Sequence, residues 1–362
     1  MKNDLRSAMA PIYAAVLPAI FDAPYVEETR ATCDDCAMCD KGPAGGGRGA
    51  GSAYFEPGVK CCTYQPTLPN YLVGALLDDP SPELAEGQRR ARDRIRARIG
   101  VTPGWLAPPR KFYVLHEAAR AAAFGRSRAL LCPYLDAETT RCTIWRHRES
   151  ICSTFFCKHV AGATGNAFWE ALAQYLAHVE RSLSRAAARH VHPDAKEPST
   201  LRGKLSLEDL EDRPPTDEDY ASYWGPWVGR EPEFYSLTYQ YVQSLTRESA
   251  SEILDNDVGR AALDKLVAAH RALTEPRLAR SLVRNPRMQS QPSATGQVVT
   301  TYSRFDPLEL TQALYDALGL LRAEETVPEN LERLRREHGL ALGEDMLLAL
   351  QLHGVVVEPS EP

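Results

Sequence analysis

Apolar residues recur at helical spacing along most of the chain. In GNAFWEALAQYLAHVERSLSRAAARHV, the positions Phe168, Leu172, Tyr175, Leu176, Val179 and Leu183 follow i, i+4, i+7 and i+8, which predicts a long helix burying that stripe. A shorter apolar run places Tyr71, Leu72, Leu76 and Leu77 in a second buried helix. Near the start, Leu5, Met9, Ile12, Val16 and Ile20 keep the same rhythm, so an amphipathic helical segment is expected, bent or split near Pro11 and Pro18. Trp224, Trp227, Phe234, Tyr235, Tyr239 and Tyr241 read as core or an inter-domain contact rather than a ligand cage.

The last eighty or so residues change character. GQVVTTYSR reads as a strand, and Asp306-Pro307 as the start of a helix ending at Gly319. Thr326 and Glu329 form a capping box for a second helix ending at Gly339, and a third helix runs towards Gly354 before the strand VVVE. This order resembles a winged-helix module and, more loosely, the PqqD-like domains that bind leader peptides. The third helix, GEDMLLALQLH, offers Glu344 and Asp345 but no lysine or arginine, so peptide docking is expected over DNA binding. The acidic, proline-broken stretch between Leu201 and Pro215 reads as a boundary. The expected architecture is mainly α with small β elements (α+β): a cysteine-rich domain over 1–195, a helical middle segment over 196–280 and a winged-helix-like domain over 281–362.

Composition narrows the class. The formal net charge is −6 over 362 residues, so no global positive field draws in nucleic acid. SPELAEGQRRARDRIRARIG concentrates Arg89, Arg90, Arg92, Arg94, Arg96 and Arg98 on one expected helix, capped by Ser81 and ended by Gly100. Leu84, Ala91 and Ile95 would face inward, and a solvated arginine face is preferred over a nucleic-acid surface. No apolar run is long enough to span a bilayer. Asp4, Pro11 and Pro18 spoil a signal-peptide reading, so a cytoplasmic bacterial protein is expected, with no membrane partner.

The nine cysteines change the picture most. Cys33, Cys36, Cys39, Cys61, Cys62, Cys132, Cys142, Cys152 and Cys157 all fall in the first 157 residues. An odd count in a large, cytoplasmic chain argues for metal over disulfides. The run TCDDCAMCD spaces three thiols so that turns can bring successive sulfurs to one ion or cluster face. ALLCPYL and CTIW, joined by DAETTR, read as a hairpin that sets Cys132 beside Cys142. His147 or His159 could substitute as ligands, but each lies next to basic residues and is expected to face solvent. The glycine-rich GGGRGAG fits no phosphate-binding fingerprint and reads as a spacer that lets Cys61 and Cys62 fold back.

These residues together, C-x2-C-x2-C, the Cys61-Cys62 pair, CPYL, C-x-I-W, Arg148 and Cys152, resemble the YkgJ-type cysteine-cluster proteins, a zinc- or iron-chelating group that includes flagellin lysine N-methylases. The likeness spans about residues 30 to 160. It departs from the usual pattern in the insert before Cys61, in Glu149 where a proline is usual, and in Ser153 where an arginine is common. It implies an iron–sulfur cluster (4Fe-4S as one form) or zinc on Cys33, Cys36, Cys39, Cys61, Cys62, Cys132, Cys142 and Cys152, with Cys157 as a further donor.

Nucleophile elbow, H-E-x-x-H helix and radical-SAM C-x3-C-x2-C signatures do not occur, and no carboxylate pair is singled out by its context. The expected function is that of a metal-binding protein acting on or binding a polypeptide. A cluster-dependent lysine N-methylase, a structural-zinc interaction module and a metal trafficking or sensing protein are the alternatives.

Overall fold

The computed structural model describes residues 4–31, 33–39, 54–194 and 205–359. Helices dominate, with small antiparallel sheets beside them. The chain divides into two compact units, each discontinuous in sequence. The first comprises Met1–Pro24, Met38–Phe155 and Ala173–Leu263; the second comprises Tyr25–Ala37, Phe156–Leu172 and Asp264–Pro362. Among the described residues no helix is long and apolar enough to cross a membrane. The glycine-rich spacer at 45–51 and the chain at 195–204 lie outside the described residues.

The first unit opens on three 3-10 turns, Leu5–Ala8, Pro11–Ala14 and Ala19–Asp22, in place of the expected helix. Pro11 and Pro18 each lack a backbone donor, so no i→i−4 ladder runs through them. The apolar rhythm still holds: Leu5, Met9, Ile12 and Val16 are buried, while Ile20 is half-buried and Phe21 takes the inner position.

Next come β1 (Leu68–Pro69), α1 (Asn70–Asp78), α2 (Ala85–Ala97), β2 (Trp105–Leu106), which pairs antiparallel with β1, and α3 (Arg110–Ala123). A short α4 (Ser150–Thr154) precedes the long α5 (Gly162–Val191), whose predicted stripe is buried throughout. Then follow α6 (Leu207–Leu210), α7 (Asp217–Trp224), α8 (Glu231–Ser244), α9 (Arg247–Leu254) and α10 (Asp257–Thr274). Trp224, Phe234 and Tyr235 are fully buried, the core role expected of the aromatic set.

The four predicted core residues of α1 are buried, and Gly74 explains how closely this helix meets α8. A Cβ there would lie 2.0 Å from the Tyr235 carbonyl oxygen and 2.7 Å from Tyr239 Cβ. Gly74→Ala is therefore expected to lower the unfolding free energy by about 1–3 kcal/mol, overriding the roughly 1 kcal/mol that alanine gains over glycine in a helix. An unchanged or raised denaturant midpoint would contradict this packing.

Leu84, on the turn before α2, and Ala91 and Ile95 on α2 face inward as expected. The arginines are engaged within the chain. Arg89 and Arg96 pair with Asp93 at 2.7 and 2.8 Å. Arg90 donates to the Pro133 and Leu135 carbonyls, each at 2.8 Å, and Arg94 donates to the Ala107 carbonyl. Arg98 pairs with Asp217 and sits 4.6 Å over the Tyr220 ring. This helix thus braces the loop that carries Cys132.

The C-terminal part of the second unit holds β3 (Val283–Arg284), β4 (Gln289–Pro292), β5 (Gly296–Thr300), β6 (Leu308–Thr311), α11 (Gln312–Gly319), α12 (Val327–His338), α13 (Glu344–Leu352) and β7 (Val356–Val357). β4, β5 and β6 form an antiparallel meander, and β3 pairs antiparallel with β7. The helix expected from Asp306 starts instead at Gln312: Thr311 caps it, and Leu308–Thr311 pairs with β5 as a strand. The capping box at Thr326 and Glu329 forms as read, and Gly339 closes α12 with φ +66°. Leu282, Val299, Leu310, Leu318, Leu334, Leu347 and Val356 share one core.

Candidate metal centre

Six thiols belong to the first unit: Cys39, Cys61, Cys62, Cys132, Cys142 and Cys152. A tight turn, with the Cys62 N–H on the Val59 carbonyl at 3.1 Å and Lys60 at φ 51°, presents Cys61 and Cys62. The Cys62 carbonyl accepts the Cys132 N–H at 2.8 Å, so two thiols seventy positions apart in sequence share a backbone bond. The expected hairpin shrinks to one bridge, Leu135 to Cys142, closed by the Asp136 N–H on Arg141 and the Thr143 N–H on Tyr134, both at 2.9 Å. Lys60 Nζ reaches the Thr140 carbonyl at 3.2 Å and ties that turn to the Cys61-Cys62 loop. Cys152 lies on α4, and Arg148 holds its carbonyl at 2.9 Å while stacking 3.4 Å over the exposed Trp145 ring.

The Cys61 thiol hydrogen-bonds to Cys62 and lowers its pKa against the cost of burial, with Lys60 and Arg148 adding positive charge. Burial pushes the Cys132 thiol up, and Cys142 and Cys62 push it further. Burial also raises Cys152, with Glu149, Cys132 and Cys142 as its negative neighbours.

In the second unit, burial and the nearby Cys36 push the Cys157 thiol up to about 12, with Cys33 contributing and Lys158 opposing. Cys39, like Phe55 a residue of the first unit, is buried and pairs with it by a single parallel bridge. Among the described residues no three Cys, His, Asp or Glu side chains stand at the distances of a finished metal centre. The donor chemistry is that of soft, thiolate-binding ions: clustered sulfurs with cations beside them.

His147 and His159 are not solvent-facing as expected; they are 4% and 3% exposed. His147 Nε2 meets Asp79 Oδ2 at 2.8 Å. Nδ1 of each histidine has no hydrogen-bond partner among the described residues, and a buried unmet acceptor costs about 1–3 kcal/mol. Burial lowers the His159 pKa to about 4, so its imidazole is neutral.

No local pattern marks the buried acids beside Cys152. Glu149 caps α4, accepting the Ile151 and Cys152 N–H groups at 2.7 and 2.9 Å. Glu180 on α5 accepts the Ser150 N–H at 2.6 Å, the Ser150 hydroxyl at 2.7 Å and the Tyr13 hydroxyl at 3.1 Å. Thirty-one positions separate the two acids, so only the fold brings them together.

Burial and the negative Glu149 push Glu180 up to about 8. A carboxyl that holds its proton more tightly when folded contributes stability in full below its ordinary range, near pH 4.5, and loses it as pH climbs towards 8. Glu180→Gln is expected to flatten that decline. Urea midpoints that fall equally for wild type and variant between pH 5 and 8.5 would rule out this role for Glu180.

A cleft of about 700 Å3 in the first unit reaches Cys142; its lining includes Arg141, Trp145, Arg146 and Arg148 together with Glu83 and Glu86. No family model, curated protein or solved structure matches the chain.

Proposed function

We propose that this chain is a cysteine-cluster protein whose first unit binds a soft metal centre, an iron–sulfur cluster or zinc, and which acts on or binds a polypeptide. The supporting observation is that distant thiol-bearing stretches are tied together: the Cys132 N–H bonds to the Cys62 carbonyl, the Leu135–Cys142 bridge closes the next turn, Lys60 reaches the Thr140 carbonyl, and Arg148 holds the Cys152 carbonyl. Cys61 hydrogen-bonds to Cys62. The bound centre would supply Lewis-acid or electron-transfer chemistry; the chain's own part is to hold the sulfurs, place two cations beside them and keep the buried acids Glu149 and Glu180 behind α4.

The winged-helix-like reading of the C-terminal part supplies the partner side: α13 begins with Glu344 and Asp345 and carries no basic residue, which favours a peptide over DNA. A modifying enzyme, with a lysine N-methylase as the form implied by the resemblance, is the second reading, favoured by the cleft that reaches Cys142.

Anaerobic purification followed by metal analysis and a visible spectrum tests the first reading. Iron with sulfide, or zinc, bound to the chain is expected; a colourless, metal-free protein with all thiols reactive would overturn it. The enzyme reading further requires that the loaded protein bind SAM and methylate a polypeptide.

A further inference from the structure

Cys61 and Cys62 are the only cysteines adjacent in sequence, and the turn that carries them is tied down within itself and to its neighbours. Val59 and Lys60 donate to the Glu56 carbonyl at 2.9 and 2.8 Å, and Cys62 donates to that of Val59 at 3.1 Å. Lys60 takes φ 51°, a left-handed backbone that is costly for a residue with a Cβ. Beyond the turn, the Thr63 hydroxyl accepts the Gly125 N–H at 2.9 Å, the Cys62 carbonyl accepts the Cys132 N–H at 2.8 Å, and Lys60 Nζ reaches the Thr140 carbonyl at 3.2 Å. Both thiols thus sit on one short, fixed piece of backbone. They are half-buried where Cys132 is 8% exposed, so a small oxidant reaches the pair before it reaches Cys132.

No cis peptide occurs among the described residues, so the Cα atoms of Cys61 and Cys62 stand about 3.8 Å apart. Ordinary disulfides span about 4.4–6.8 Å between Cα atoms. A bond between these neighbours closes a small ring below that range, and strained, accessible disulfides are the ones that reductants open most readily. Such a bond suits reversible switching, not stapling of the fold.

We infer that Cys61 and Cys62 form a redox-sensitive pair that hydrogen peroxide closes into a vicinal disulfide, withdrawing two sulfurs from the proposed metal centre. One thiolate takes an oxygen from the peroxide, whose O–O bond breaks, giving a sulfenic acid and hydroxide. The neighbouring thiol attacks that sulfur: the S–S bond forms, the S–O bond breaks, and hydroxide leaves as water with the attacking thiol's proton. The two thiols lose two electrons and two protons, which the peroxide takes up as water, and a dithiol reductant reverses the change. The withdrawal of donors rests on the metal reading; the ring itself does not.

The test uses the full chain, purified anaerobically, stripped of metal and titrated with hydrogen peroxide, then blocked with N-ethylmaleimide and cut with trypsin. Cleavage after Lys60 and Arg89 releases a peptide whose only cysteines are Cys61 and Cys62. That peptide is expected unalkylated, lighter by two hydrogens and joined to no other, and dithiothreitol should restore both thiols. Cys61→Ser should instead carry Cys62 on to sulfinic acid, which dithiothreitol does not reverse. Alkylation of both thiols throughout the titration, or a crosslink from Cys62 to Cys132 or another cysteine, would overturn the pair. The chain oxidised at this pair alone should take up less zinc than the reduced chain; equal uptake would overturn the withdrawal of donors. A ring that forms in a chain whose reduced state takes up no metal would leave the pair standing and sink the metal reading itself.

Discussion

If the first unit binds metal as proposed, Cys132→Ser is expected to strip that metal while the chain stays folded. Its backbone bond to Cys62 and its proximity to Cys142 make Cys132 the thiol that links the loops, and it is 8% exposed. Serine keeps the shape but supplies a hard hydroxyl where a soft ion prefers sulfur. Metal per chain and thiolate-to-metal absorption should both fall, with far-UV circular dichroism unchanged. Retention of full metal content would remove Cys132 from the ligand set.

Asp306→Ala is expected to have the largest effect on folding stability in the second unit. The carboxylate is fully enclosed while its partner Arg30 is 37% exposed, so removing it strands a half-solvated guanidinium and the His159 N–H. Breaking a buried charge pair costs about 3–5 kcal/mol, and partial solvation of Arg30 places the loss near the lower end. Cys157 should also alkylate faster as the segments separate. Equal urea midpoints and equal Cys157 reactivity in variant and wild type would show that the Asp306 network holds nothing together.

Long helices and their buried faces were legible in the residues. Phe168 through Leu183 and Tyr71 through Leu77 fall where the spacing places them, and the Thr326–Glu329 box starts α12 as read, because local periodicity and capping decide these features. Where competition is between local preferences, the reading slipped. Asp306-Pro307 looks like a helix start, yet Leu308–Thr311 gains more by completing the meander with β5. The cysteine types and clusters were visible; their division between two units was not, since it depends on which distant segments pack together. Glu149, Glu180, Arg30 and Asp306 carry no local signature at all. Charge adjacent to a histidine proved a poor guide to exposure: the His147 ring is enclosed beside Asp79, which Arg146 also reaches at 3.5 Å, while Arg148 turns to the Trp145 carbonyl.

The discontinuous first unit also sets an order of events during synthesis. All of its cysteines have been made by residue 152, yet the unit is complete only when Ala173–Leu263 has emerged. At about 5–20 residues per second, roughly 5–20 s separate the last of those thiols from the end of the segment that encloses them. Throughout that interval the nascent chain carries unshielded thiols, open to oxidants and to whichever cation arrives first. Production under air should therefore yield more mispaired, misloaded chains than production without oxygen, even when the finished protein resists both.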